Sequence, residues 1–352
     1  MPLYVGRLCL AFALFLGTAM CVAAADAVPA DRQASALTRK VLNYLASLPQ
    51  KKEKKLLSGQ FVSGHPTVTL ATVEKIHAES GQWVALVGVD YYPPKGLKRA
   101  PFEEQNPPRW QIVNPLLKEQ WKAGGLVTVN HHMTNPWTGS NSWSKAGALA
   151  DLLDPTTSAG AFYQRQLAMI GDGLEDLQRA EIVVLYRPFH EINGGWFWWG
   201  AQDAETFRKV WRSLFEYLTV QRKLHNLIWI YNSASMAHYP GDEYVDLVSY
   251  DLYNDDPAKA RPSYDEQVKT GKPFALAEYG PGRSTKVKAP LNYDYGPFAQ
   301  RVGAALPNTV YFLSWSGPWG LDANLNVRQL LNDPLVVNRD DLNRDLFGPE
   351  KK

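Results

Sequence analysis

Cysteine is nearly missing from this chain: of 352 residues only Cys9 and Cys21 carry a thiol, and both fall within the first 25. Without that segment the remainder can form no disulfide, no thiolate metal site and no cysteine nucleophile. A block of like charge is missing too. The formal charge is +2, from 37 basic and 35 acidic residues, and no basic tract is present to track phosphates, which argues against a nucleic-acid partner. The sequence contains no Gly-x-Ser-x-Gly elbow, no His-Glu-x-x-His pair and no loop ending in Gly-Lys-Ser/Thr. Covalent serine catalysis, zinc-peptidase chemistry and nucleotide hydrolysis are therefore set aside. No repeat, low-complexity tract or Gly/Ser linker divides the chain.

Long apolar runs are also lacking. The most hydrophobic segment, residues 8–20, is 13 residues long, too short to span a bilayer comfortably. It follows Arg7, the only charge before Asp26, and precedes Ala23-Ala24-Ala25. That pattern predicts a signal peptide over residues 1–25 and a single domain over 26–352, secreted or periplasmic and without membrane attachment after cleavage. Losing Arg7 takes the charge from +2 to +1. A monomer is expected.

What the chain has in quantity is a rhythm of short apolar runs separated by amphipathic stretches. Strands are predicted at 56–61, 84–89, 126–130, 182–186, 227–231, 245–250, 274–277 and 310–314. Most are continuously apolar, as strands covered on both faces should be. Helices are predicted at 34–48, 68–78, 111–122, 162–177 and 204–224, the last behind a candidate cap, Asp203. Eight strands with helical crossovers predict a (β/α)8 TIM barrel with one extra N-terminal helix. A doubly wound open sheet is the alternative, but the first turn, Ser58-Gly59-Gln60-Phe61, lacks its glycine signature.

A barrel places its chemistry just after the strand C-termini. The residues there are Gln60, Asp90, His131 and His132, Glu191, Asn232, Asp251 with Tyr253, Glu278 and Trp315. Aromatics are abundant, with 12 Trp and 17 Tyr, and they cluster in the run Arg187-Pro188-Phe189-His190-Glu191-Ile192-Asn193-Gly194-Gly195-Trp196-Phe197-Trp198-Trp199-Gly200. Flat apolar surface beside a carboxylate suits a sugar ligand. Glu191 follows the fourth predicted strand and Glu278 the seventh, so in a closed barrel the two carboxylates face each other across the mouth. Glycoside hydrolysis needs such a pair, at about 5–5.5 Å for retention or about 6.5–9.5 Å for inversion.

The run 187–200 resembles the acid/base signature of glycoside hydrolase family 26, whose known members include endo-β-1,4-mannanases. Ala277-Glu278-Tyr279-Gly280 is similar to that family's nucleophile strand, Leu57-Ser58-Gly59-Gln60 to its first strand, and His132-Met133-Thr134-Asn135-Pro136 to the stretch after its third. The resemblance implies a retaining double displacement with Glu191 as general acid/base and Glu278 as nucleophile. It further implies that His132 and His190 hydrogen-bond the sugar at the point of cleavage, that Tyr253 holds the nucleophile, and that Trp196 and Trp315 form aromatic walls. Arg187 would brace the nucleophile side electrostatically. The sequence leaves either His131 or His132 to face inward.

Plainer roles stand beside these. Glu191 or Glu278 could be an ordinary ion-pair partner, His190 a framework histidine, and Asp90, Asn232 and Gln60 strand-end hydrogen-bonding groups. Four consecutive aromatics, 196–199, cannot all face one ligand, so at least half must pack. His65, His131, His132, His190 and Glu191 could in principle gather a metal, but adjacent His and Glu point to opposite faces of an extended segment, so no metal and no cofactor are expected. The expected partner is a β-linked polysaccharide or oligosaccharide. Within the same family a β-1,3-1,4-glucanase or β-1,3-xylanase stays open, and so does a catalytically silent polysaccharide-binding barrel.

Overall fold

The computed structural model describes residues 27–63, 68–91, 107–144, 147–282 and 291–348. The predicted signal segment, both cysteines and His65 lie outside the described residues. The strands are β1 (Leu56–Leu57), β2 (Gly59–Phe61), β3 (Leu86–Asp90), β4 (Leu126–Asn130), β5 (Val184–Arg187), β6 (Leu227–Asn232), β7 (Leu247–Tyr253), β8 (Phe274–Gly280), β9 (Thr309–Ser314) and β10 (Val336–Val337). Strands β2 to β9 pair in parallel, each with the next, and β9 also pairs with β2, which closes an eight-stranded barrel.

Helices α1 (Ala36–Ser47), α2 (Ala71–Ser80), α3 (Arg109–Lys122), α4 (Ser158–Arg179), α5 (Ala204–Glu216), α6 (Arg261–Gln267), α7 (Phe298–Ala305) and α8 (Val327–Leu331) accompany the strands. Helix α1 precedes the barrel, as the sequence predicts. Valine, leucine and isoleucine of the strands are almost wholly buried, so the strands read as unbroken apolar runs because helices cover their outer faces. Among the described residues no helix is long and apolar enough to cross a membrane.

Three departures from the sequence reading have physical causes. The first strand is split at Ser58, whose hydroxyl donates to Val337 O at 3.2 Å and accepts from Ala85 N at 3.1 Å. That anchor lets β1 lean outward to pair with β10 while β2 stays in the barrel. Second, several strands run beyond their apolar stretches, to Asp90, Arg187, Asn232, Tyr253 and Gly280. The polar side chains there are bonded inside the mouth, Arg187 and Asn232 to Asp251, Tyr253 to Glu278 and Asp90 to His132, so the backbone ladder need not stop where hydrophobicity does. Third, the helix expected over 204–224 becomes a π-helical turn at Tyr217–Gln221.

The start of α5 is as expected. Asp203 accepts from Thr206 N at 2.8 Å and from its hydroxyl at 2.7 Å. Replacing Asp203 by Ala is expected to lower stability by about 1 kcal/mol, read as a lower urea midpoint with unchanged slope. An unchanged midpoint would show that the cap contributes nothing.

Candidate active site

Arg187 closes β5 with its side chain directed into the barrel, and burial leaves it 2% exposed. A guanidinium in such a place must be paired, because an isolated buried charge costs far too much. It donates to Asp251 Oδ2 and to Glu278 Oε1, each at 2.5 Å. Burial alone would lower the pKa of Arg187, but the two carboxylates outweigh it and hold the group firmly charged.

Glu278 is brought to this spot by an irregularity in β8. Along β7, Tyr250 pairs with Leu276 but Asp251 pairs with Glu278, so β8 carries one extra residue. The register against β9 slips over the same residues. Bulges of this kind re-aim side chains, and here Glu278 is set beside Asp251. Its second oxygen, Oε2, accepts from the Tyr253 hydroxyl at 2.8 Å. The tyrosine ring reaches it by lying over Gly280, where a Cβ would come within 2.4 Å of the ring.

Glu191 lies four residues past the end of β5, on a loop, with φ +51. A non-glycine residue in the left-handed region is strained and needs external support. Asn232, the last residue of β6, supplies it: its Oδ1 accepts from Glu191 N at 2.7 Å while its amide donates to Asp251 Oδ1 at 2.7 Å. A chain of contacts thus runs from Glu191 through Asn232 and Asp251 to Arg187 and Glu278.

One oxygen from each of Glu191, Asp251 and Glu278 lies within 4.8 Å of the other two. Two unit charges at that separation repel by about 3.5 kcal/mol at an effective dielectric of ~20. Three carboxylates share one guanidinium, and Glu191 is the member without a contact to it. Burial first, then Asp251 and Glu278, push the pKa of Glu191 well above the ordinary range, with the Trp196 hydrogen bond and Arg187 pulling the other way. The same trio would be a plausible set of metal ligands by spacing alone, but Arg187 already donates to two of them.

The aromatic run divides as the sequence requires. Phe197, Trp198 and Trp199 are buried, and Phe197 stacks on Trp199 at 4.6 Å. Trp196 is 44% exposed, and its indole N–H donates to Glu191 Oε2 at 2.5 Å. Gly194 makes room for it, since a Cβ there would lie 2.4 Å from the indole. Trp315 stacks on Phe61 at 4.0 Å and faces His132 at 6.3 Å.

Of the adjacent histidines, His132 faces the site. Its ring lies 4.5 Å from that of His190 and 5.2 Å from Phe197. His131 points the other way, stacked on Tyr91 at 5.2 Å, and burial drives its pKa down to about 4. Every residue singled out for the site, namely Glu191, Glu278, His132, His190, Trp196, Tyr253, Trp315 and Arg187, therefore lines or underlies one end of the barrel.

Three contributors were passed over as strand-end groups: Asp90, Asn232 and Asp251. A signal for Asp251 was present, because it sits two residues before Tyr253 on one strand and so shares its face. A cavity of about 310 Å³ extends from Glu191 and Trp196 past Asn193 and Tyr250 to Asn254 and Lys259. Replacing Asn232 by Ala should remove the support of the Glu191 backbone together with the bond to Asp251, and lower turnover about 10–100-fold. Turnover within twofold of the parent would show that the loop holds its conformation unaided.

The sequence model of glycosyl hydrolase family 26 matches residues 30–341. The chain is 34% identical over 337 residues to a mannan endo-1,4-β-mannosidase of Caldalkalibacillus mannanilyticus, spanning 90% of this chain and 63% of that longer protein. It is 32% identical to the mannan endo-1,4-β-mannosidase of Bacillus subtilis strain 168, over 91% of each. A crystal structure of a Bacillus subtilis mannanase superposes with TM-score 0.79 at 31% identity, covering 92% of this chain and 99% of that one. A closed (β/α)8 barrel with its polar groups gathered at the strand ends, matched from residue 30 to residue 341, makes this chain a member of glycosyl hydrolase family 26.

Proposed function

We propose that the protein is an endo-acting glycoside hydrolase that cleaves β-1,4-mannosidic bonds with retention of anomeric configuration. The observation that carries the stereochemistry is the spacing of Glu191 and Glu278, whose nearest oxygens lie within 4.8 Å. That is close to the about 5–5.5 Å expected for direct attack by one carboxylate and short of the about 6.5–9.5 Å of a pair that places the attacking water between its members and the sugar. The mannan substrate is supported by relatives named as mannan endo-1,4-β-mannosidases at 32–34% identity.

In the first step Glu278 attacks the anomeric carbon as the glycosidic bond breaks, and Glu191 passes its proton to the departing oxygen. In the second, Glu191 takes a proton from water as the water oxygen displaces Glu278 from the glycosyl ester. Arg187 and Tyr253 orient the attacking carboxylate by donating to its two oxygens. Raising the pKa of Glu191 keeps the proton on the group that must deliver it. His132, His190, Trp196 and Trp315 bind the sugar at the cleavage point. The N-terminal run behind Arg7 supports export, with residues 1–25 removed, and a mature enzyme working outside the cytoplasm on a polysaccharide.

Hydrolysis of a panel containing plain and galactose-decorated mannan, mixed-linkage glucan and β-1,3-xylan tests the substrate class. Reducing ends should rise on the mannans, and binding without release of any product would mark a silent barrel. Glu278→Ala and Glu191→Ala should each lose at least ~10³-fold in rate. Azide should restore turnover of an activated aryl substrate only in the Glu191 variant. An NMR time course should show the β-anomer forming first, and the α-anomer first would sink retention. The kcat/KM–pH profile should fall on its alkaline side as Glu191 loses its proton, above the ordinary carboxylate range. That limb should vanish in Glu191→Ala assayed on a substrate whose leaving group needs no acid.

A further inference from the structure

We propose that Asp90 is a positioning residue that fixes the tautomers of His132 and His190, so that a sugar hydroxyl replacing the hydrogen bond between the two rings meets one acceptor and one donor. The inference rests on the glycosidase reading of the site. Asp90 is the last residue of β3 and is 4% exposed. Both of its oxygens engage the same neighbour. Oδ1 accepts from His132 N at 3.1 Å, and Oδ2 meets His132 Nδ1. A carboxylate can only accept in such a contact, so the proton sits on Nδ1.

The consequence passes along the pair. A neutral imidazole has one N–H, so His132 Nε2 is left as an acceptor. His190 Nε2 stands 3.2 Å away and must therefore be the donor. That assigns the proton of His190 to Nε2 and leaves its Nδ1 bare, in agreement with a buried Nδ1 that has no partner. His190 is kept neutral by burial first, then by His132 and Arg187. It is also held in place, since its carbonyl accepts from Trp199 Nε1 at 2.7 Å. The opposite choice is self-defeating: a proton on His132 Nε2 would face the proton on His190 Nε2, and His190 could escape only by moving its own to a nitrogen with nothing to bond. Asp90 thus decides two protons through one contact. Among the described residues, Arg109 of α3 and His131 also feel its charge.

His132 is the accessible member, its side chain 16% exposed while His190 is 1% exposed. A hydroxyl both gives and takes a hydrogen bond, which matches a fixed acceptor beside a fixed donor. Hydrogen or fluorine in its place cannot donate.

The test uses the full chain with 15N-labelled histidine and the near-isosteric variant Asp90→Asn, in which an amide N–H would face His132 Nδ1. Long-range 1H–15N correlation, assigned with His132→Gln and His190→Gln, should show His132 as Nδ1–H and His190 as Nε2–H at neutral pH. In Asp90→Asn the proton of His132 should move to Nε2, with kcat/KM on mannan falling about 10–100-fold and recovering in part in Asp90→Glu. A wild-type His132 protonated on Nε2 or on both nitrogens would overturn the proposal, as would parental tautomers in Asp90→Asn. The tautomer readout needs no turnover. Failure to hydrolyse any β-glycan, with the expected tautomers in place, would therefore remove the mannanase reading and leave this assignment standing.

Discussion

A single buried guanidinium organises the mouth of this barrel. Arg187 cannot be tolerated without partners, and the partners it takes, Asp251 and Glu278, come from two other strands. Once both are in place, burial first and then these two carboxylates drive a third, Glu191, towards its neutral form. The difference between the two glutamates follows from burial and from their contacts. Glu278 touches the cation and the Tyr253 hydroxyl, whereas Glu191 touches neither.

The backbone cooperates at the two points where regular structure would put a side chain in the wrong place. An extra residue in β8 sets Glu278 level with Asp251, and a left-handed residue beyond β5 carries Glu191 over the mouth. Both irregularities sit at the open end of the barrel. The other end is built from unbroken apolar strands, which supply the rigidity against which such local strain can be held.

Much of this was legible before any coordinates. The eight apolar runs located the barrel strands, because burial on both faces leaves its mark on every residue of a strand. Glu191 and Glu278 were legible because each follows such a run, Glu278 directly and Glu191 within five residues, among aromatic and polar neighbours. Strand ends were not, since Arg187 and Asn232 bond Asp251 while Asp90 bonds His132, and hydrophobicity says nothing about such pairing. The choice between His131 and His132 was closed to sequence for a related reason. Both are polar, and only the packing of Tyr91 and Tyr186 around His131 turns the other outward. The split at Ser58 likewise depends on Val337, 279 residues away in sequence.

The indole of Trp196 is both the most exposed ring of its run and a donor to Glu191. That bond favours the charged form of Glu191, opposing the effects of burial. Any saccharide that draws the ring away to stack on its face would strip the carboxylate of this support, and the proton would be held more tightly. In the proposed mechanism, occupancy of the cleft and readiness of the acid would thus be tied through one side chain.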